Sequence, residues 1–234
     1  VLPYIEWGIN RQVIARCRNY LQLHAATLAK NGSAIILAGN SGAGKSTLAA
    51  ALFARGWTYL CDEFAMINPA TLFVHAFPKA LCIKSGSFDV VKRLGLPLWH
   101  KRYYVRAYKG PVSYVVPRSG VSRRNRSSYP VRHVIFPQFT EGATPRLPPL
   151  SRAPAAFALS SLVLNRGTFG PLATSIISTI VRNASCFRLQ TGPVWETCNL
   201  LESLFSECNP TPRTIDLRPP KDLKTAARQP VKHR

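Results

Sequence analysis

Three observations predict an α/β fold for this 234-residue chain. A short apolar run, Ser33 to Leu37, passes into a glycine-rich loop and then into a segment built mostly of strong helix formers, Thr47 to Arg55, so strand, loop and helix follow in order. Further strand-like and helical segments alternate as far as Phe205. A hydrophobic share of 46% against 18% charged residues is that of a chain able to bury a core. The simplest division is one domain over residues 1–208, followed by a basic tail, 209–234, whose prolines and charges predict disorder.

The elements can be justified in turn. Ile5, Ile9, Val13, Ile14 and Cys17 recur near the helical period and predict an amphipathic helix over Ile5 to Tyr20. Leu21 to Leu28 and Ser33 to Leu37, joined through Lys30, Asn31 and Gly32, read as a β-hairpin. Gly56 stands where the helix after the glycine loop should stop. Trp57 to Leu60 is a returning strand ending at Cys61, Asp62 and Glu63, and Ala65 to Ile67 with Leu72 to His75 form a hairpin turning at Asn68, Pro69 and Ala70. Pro117 to Pro130 lacks periodicity and reads as a mobile loop. Beyond it come a strand at Val131 to Phe136, helices at Ala153 to Leu164 and Pro171 to Arg182, a short strand at Cys186 to Leu189, and a last helix over Val194 to Phe205.

Composition excludes several function classes. No apolar run approaches the eighteen residues of a membrane-spanning helix. The chain opens on Val1 without a leader pattern, and a truncated N-terminus is the expectation. Cys17, Cys61, Cys82, Cys186, Cys198 and Cys208 show neither CxxC nor Cys/His spacing, which argues against a zinc site or a disulfide framework and for reduced, buried thiols. The net charge of +21 attracts polyanions, yet no RNP-like motif, helix-turn-helix pattern or aromatic-interleaved basic strand accompanies it, so nucleic acid is not the expected partner. Much of that charge lies between Lys101 and Arg132. The arginines of Arg118 to Arg132 admit three readings: recruitment of an acidic peptide, an arginine reaching the phosphates, or a solvated loop.

The chemistry centres on Gly39, Asn40, Ser41, Gly42, Ala43, Gly44, Lys45 and Ser46, which satisfy the P-loop pattern GxxxxGK[ST] in its required strand-to-helix context. Glycines let the backbone curl so that successive N–H groups face phosphate oxygens, and the helix start adds a positive dipole end. Lys45 is expected to neutralise the β and γ phosphates of ATP, Ser46 to ligate Mg²⁺, and Thr47 to add an α-phosphate contact. Asp62 and Glu63, two of only ten acidic residues, follow at the end of the next strand. Carboxylates there can hold Mg²⁺ or take a proton from an attacking hydroxyl, whereas an isolated acidic dipeptide elsewhere would more often pair with a surface cation. His24 precedes the loop, and alone it reads as a core or edge residue.

With those residues in view, the chain resembles the catalytic domain of HPr kinase/phosphorylase, and more closely the HprK-related kinase A family. The resemblance lies in Glu6, Trp7, Gly8, Ile9 and Asn10; in Leu23, His24, Ala25 and Ala26; and in the P-loop, Gly56, Trp57 and the acidic pair. Further pieces are Phe77, Pro78 and Lys79 with Leu81 to Lys84, then Lys109 and Gly110, then Val134 to Pro137. It implies a P-loop kinase domain whose mixed central sheet is of the HPr kinase C-terminal or phosphoenolpyruvate carboxykinase-like type. It further implies Asp62 as the base for a substrate serine, His24 supporting the acidic pair, and a bacterial, cytoplasmic enzyme acting on a peptide or protein. HPr kinases form homo-oligomers, and nothing in this sequence sets a stoichiometry. Two departures stand out: Glu63 occupies a position where HPr kinase has a second Asp, leaving it to serve metal or water, and the glycine- and arginine-rich substrate signature after the acidic pair has no copy here.

Taken with the resemblance, these residues predict an ATP-dependent kinase that uses Mg²⁺, with Asp62, Glu63 and Lys45 as catalytic residues, His24 added to them on the resemblance alone, and Ser46 and Glu63 at the metal. The alternative is a nucleotide-binding regulatory module, or an inactive kinase relative, that transfers no phosphate.

Overall fold

The computed structural model describes residues 2–99, 104–106, 110–117 and 128–206. Helix α1 (Leu2–Arg16) is followed by the hairpin β1 (Leu21–Lys30) and β2 (Ser33–Ala38), and then by α2 (Lys45–Ala54). Next come β3 (Thr58–Cys61), β4 (Phe64–Ile67), β5 (Phe73–His75), β6 (Leu81–Lys84), α3 (Phe88–Arg93), β7 (Tyr104–Arg106) and β8 (Gly110–Val115). The long strand β9 (Ser128–Phe139) leads to α4 (Arg152–Ser161), α5 (Arg166–Phe169), α6 (Pro171–Asn183), β10 (Ser185–Thr191) and α7 (Val194–Ser206).

Seven strands form the main sheet, in the order β10-β9-β2-β1-β4-β5 with β3 beside β1. The sheet is mixed: β9 runs parallel to both β2 and β10, while β1 is antiparallel to β2, β3 and β4. It also closes on itself, because β5 pairs with the first residues of β9 through Phe73↔Pro130 and His75↔Ser128. The loop expected over Pro117 to Pro130 therefore yields its last three residues to a strand, and residues 118–127 lie outside the described residues, as does the tail, 209–234. Proline is tolerated at Pro130 and Pro137 within β9, where a sequence pattern stops the strand too early at both ends.

Alternation along β1 and β2 sends side chains to two cores. Leu21, Leu23, Ala25, Ile36 and Ala38 pack against α4 and α6, whereas Ala26, Leu28, Ile35 and Leu37 pack against α2 and α7. Each fully buried Leu or Ile contributes roughly 1.5–3 kcal/mol relative to exposure, which explains why so plain an apolar hairpin can anchor two helical layers. The hairpin turn needs positive φ at two consecutive residues, and Asn31 (51°) and Gly32 (77°) supply it. At the end of α2, the Gly56 N–H donates to the Phe53 carbonyl and the Trp57 N–H to the Leu52 carbonyl, with Gly56 at φ 82°. That pair of bonds is a Schellman stop, and it turns the chain so that buried Trp57 joins the same core as Leu52.

One expectation is corrected. The first helix runs over Leu2–Arg16 rather than Ile5 to Tyr20 and is only weakly amphipathic: Val13, Ile14 and Cys17 pack against Phe64 and Met66, but Ile5 and Ile9 are exposed along with Tyr4 and Trp7. A helical repeat of apolar residues identified the helix but not which of them the rest of the fold would cover. The central sheet is mixed, as the resemblance implies, and it is closed. A second sheet, β6-β8-β7, was not anticipated at all, since its strands come from short segments without clear alternation. Among the described residues no helix is long and apolar enough to cross a membrane.

Candidate functional site

Strand direction brings the two motifs together. Because β1 is antiparallel to both β2 and β3, those two strands run the same way on either side of it and end at the same edge of the sheet. Residue Ala38 lies opposite Ala25 and Cys61 opposite Thr27, so the loop leaving β2 and the Asp62–Glu63 pair leaving β3 emerge two residues apart in register. His24, one residue before Ala25, sits at the same edge.

One cavity of about 120 Å³ is lined by His24, Ser41, Gly42, Gly44, Lys45, Ser46, Thr47, Asp62 and Glu63, together with Cys82, Lys84 and Ser87. Of the residues singled out from sequence, Gly39, Asn40 and Ala43 belong to the loop but not to the cavity lining. The volume is well below the roughly 300–1,000 Å³ of a pocket enclosing a drug-sized ligand.

The loop is shaped by two left-handed glycines, Gly42 at φ 94° and Gly44 at 87°, the latter as the N-cap of α2. A side chain at either position would be strained. Lys45 is buried, and its ammonium donates to the carbonyls of Gly39 (2.6 Å) and Asn40 (2.8 Å), so the lysine braces the loop from within. The Thr47 hydroxyl is 2.6 Å from that of Ser87, and Lys84 Nζ donates to Ser41 Oγ at 3.1 Å. Both contacts tie the glycine loop to the second sheet and the turn after it.

Asp62 is almost fully buried. Its Oδ1 accepts the Tyr59 hydroxyl (3.0 Å) and lies 3.4 Å from Lys79 Nζ, while Oδ2 accepts the Cys82 backbone N–H (3.1 Å). Burial pushes this carboxyl above the ordinary carboxylate range, with the Lys79 charge and the donated hydrogen bonds opposing the shift. Burial, reinforced by the Asp62 charge, holds the Tyr59 hydroxyl well above its usual range, so it stays protonated and a donor. The Cys61 thiol is pushed up to about 12 by burial and by Asp62, and its sulfur accepts the N–H groups of Glu63 and Phe64, which shapes the tight turn between β3 and β4. Burial alone would depress the Lys79 ammonium, yet the carboxylates of Asp62 and Glu6 reverse the direction and raise it. Glu63 is half-buried and lines the cavity, so of the two acids it is the one less enclosed.

Sequence reasoning missed Glu6, Tyr59, Cys82 and Ser87, and left Lys79 and Lys84 without roles. Among 31 basic residues a lysine carries no signal of its own. Glu6, one of ten acids, was the more visible clue. Five cysteines, Cys17, Cys61, Cys82, Cys186 and Cys198, are free thiols, and Cys208 lies outside the described residues. Among the described residues no group of three or more His, Cys, Asp or Glu side chains could hold a metal by itself.

Comparisons with known proteins give two likenesses. Residues 9–93, from α1 to the end of α3 and including both the glycine loop and the acidic pair, match the family described as SynChlorMet cassette protein ScmC. The chain is also similar to the solved Hpr(Ser) kinase/phosphatase from Coxiella burnetii, at 14% identity over 79% of this chain and 88% of that one, with a TM-score of 0.36. No curated protein matches the chain. At this site, then, the chain is an α/β protein in which a glycine loop and an acidic pair share one cavity, similar over its first third to a cassette protein and distantly to an HPr kinase.

Proposed function

We propose that this chain is an ATP-dependent kinase that transfers the γ-phosphoryl group to a hydroxyl, serine foremost, of a peptide or protein. The observation that carries this is the single cavity shared by Lys45, Ser46 and Thr47 with Asp62 and Glu63. In this reading the loop from Gly39 to Thr47 is a P-loop, whose N–H groups and helix start receive the phosphates. Lys45 stabilises charge that develops on the transferred group. Asp62 accepts the proton of the attacking hydroxyl, and His24, at the same sheet edge, supports the acidic pair.

The donor set fits magnesium, which favours one or two protein oxygens with phosphate oxygens and water completing an octahedron. Ser46 and Glu63 would hold it, and the ion when bound supplies charge neutralisation between the β and γ phosphates. ATP labelled in its γ-phosphate, incubated with the peptides and proteins encoded beside the gene, tests the proposal. Label should pass to one of them in the wild type and not in Asp62→Asn, and absence of any labelled product would refute transfer.

A second reading, a nucleotide-binding module without transfer, is favoured by one observation: both oxygens of Asp62 already accept hydrogen bonds in a buried setting. Under that reading calorimetry would show Mg·ATP binding while Asp62→Asn changed no rate.

A further inference from the structure

Asp62 is held by groups that lie outside the phosphate cradle. Lys79, in the connection between β5 and β6, donates to Glu6 Oε1 at 2.6 Å and stands 3.4 Å from Asp62 Oδ1. The other Glu6 oxygen accepts the Tyr114 hydroxyl at 2.9 Å. These side chains are enclosed, with Lys79 at 15% exposure, Glu6 at 12% and Asp62 at 1%. A surface pair of this kind would hold little, but a desolvated one with every partner hydrogen-bonded is rigid.

A carboxylate offers about four acceptor positions. Tyr59 takes one position on Oδ1 and the Lys79 ammonium stands beside that oxygen as an ion pair, while the Cys82 N–H takes one position on Oδ2, so among the described residues Oδ2 is the less covered oxygen of a residue that lines the cavity. We infer that Lys79, braced by Glu6 of α1, is a positioning residue that fixes the Asp62 carboxylate so that Oδ2 is the oxygen offered to the acceptor hydroxyl. The N-terminal helix, which lies outside the strand, loop and helix unit that carries the phosphate site, thereby becomes a working part of the catalytic machinery. This assignment rests on the kinase reading above.

Steady-state hydrolysis of Mg·ATP by the full chain, with water as acceptor, yields kcat and KM, and calorimetry yields the Mg·ATP Kd. Lys79→Met should lower kcat about tenfold to a hundredfold, the loss expected when a reacting group is misplaced by an ångström or less. KM and Kd should stay within about twofold, because the interaction matters only for the chemical step. Lys79→Arg should recover most of kcat, since it restores a cation between the two carboxylates. Glu6→Gln, which keeps one oxygen to accept from Lys79 but turns an N–H donor towards the Tyr114 hydroxyl and loses the charge, should fall in between. A merely structural role would instead weaken nucleotide binding along with turnover, and arginine would restore both or neither.

Wild-type kcat in Lys79→Met, or parallel loss of kcat and Kd, overturns the assignment and leaves the kinase reading standing. A wild-type chain that binds Mg·ATP but passes its γ-phosphate neither to water nor to any peptide or protein encoded beside the gene overturns both. Should Lys79→Met fail to fold, Glu6→Gln decides the matter: reduced kcat at unchanged Kd supports the positioning role, and wild-type kcat overturns it.

Discussion

Asp62→Asn separates binding from chemistry and has a cost that the structure allows to be worked out. The substitution removes a buried charge whose partner, Lys79, is itself only 15% exposed. Stripping one member from a buried ion pair typically costs about 3–5 kcal/mol. Here Lys79 keeps Glu6 at 2.6 Å, and an amide oxygen can still accept the Cys82 N–H, so the loss should fall to about 2 kcal/mol. For a domain of this size that is about 4–8 °C in Tm, readable by differential scanning calorimetry. The glycine loop is untouched, so on the kinase reading Mg·ATP affinity should stay near that of the wild type in a calorimetric titration. Phosphoryl transfer should fall by about two to four orders of magnitude if Asp62 is the base. Transfer within twofold of the wild type in a folded Asp62→Asn protein would refute the base assignment, and an unchanged Tm would refute the account of Lys79 as a partner that the charge satisfies.

Other perturbations test separate parts. Lys45→Ala should abolish Mg·ATP binding by calorimetry, since it removes both the cation and the brace to the Gly39 and Asn40 carbonyls; unchanged affinity would remove the cradle. Gly44→Ala places a side chain at φ 87°, costing about 1–2 kcal/mol of strain without a clash, because the nearest atom to the new Cβ is Phe139 Cβ at 3.9 Å. Its signature should be a small drop in Tm with Mg·ATP affinity weakened by about tenfold. Chelating magnesium should weaken ATP retention, and Ser46→Ala should raise the magnesium concentration needed for binding, followed by titrating the metal at fixed ATP. His133 gives a pH prediction: buried between Phe187 and Phe205, with neither ring nitrogen hydrogen-bonded among the described residues, it is depressed to about 4 by burial and by Arg132. The unfolded chain then binds a proton that the folded chain refuses, so stability falls as pH drops from about 6.5 towards 4, by about 3 kcal/mol in all. His133→Leu should flatten that part of the stability profile in urea titrations taken across it.

Local signals made much of the fold legible. The hairpin of β1 and β2 was readable because Asn31 and Gly32 are residue types that accept positive φ between two apolar runs. Helix α2 was readable to two residues at its start, Thr47 against Lys45, and to one at its end, Arg55 against Ala54 before the Gly56 stop, and α6 and α7 were placed within a residue of their observed ends. What failed was whatever depends on partners distant in sequence. Strand β9 extends past both expected ends because β5 and β10 pair with those ends, and no local pattern records that. The β6-β8-β7 sheet escaped notice because its strands are short and lack clear alternation.

By itself the sequence determined that a glycine-rich turn leads from a strand into a helix, where that helix stops, and that two acidic residues follow the next strand, since each depends on backbone preference over a few neighbouring positions. Only the tertiary structure decided that β2 and β3 end at one edge with His24, that Asp62 is enclosed while Glu63 is less so, and that Lys79 and Glu6, 73 residues apart, meet behind it. Burial and long-range pairing depend on the packing of the whole chain, and charge buried in that packing takes its chemistry from neighbours that no window of sequence contains.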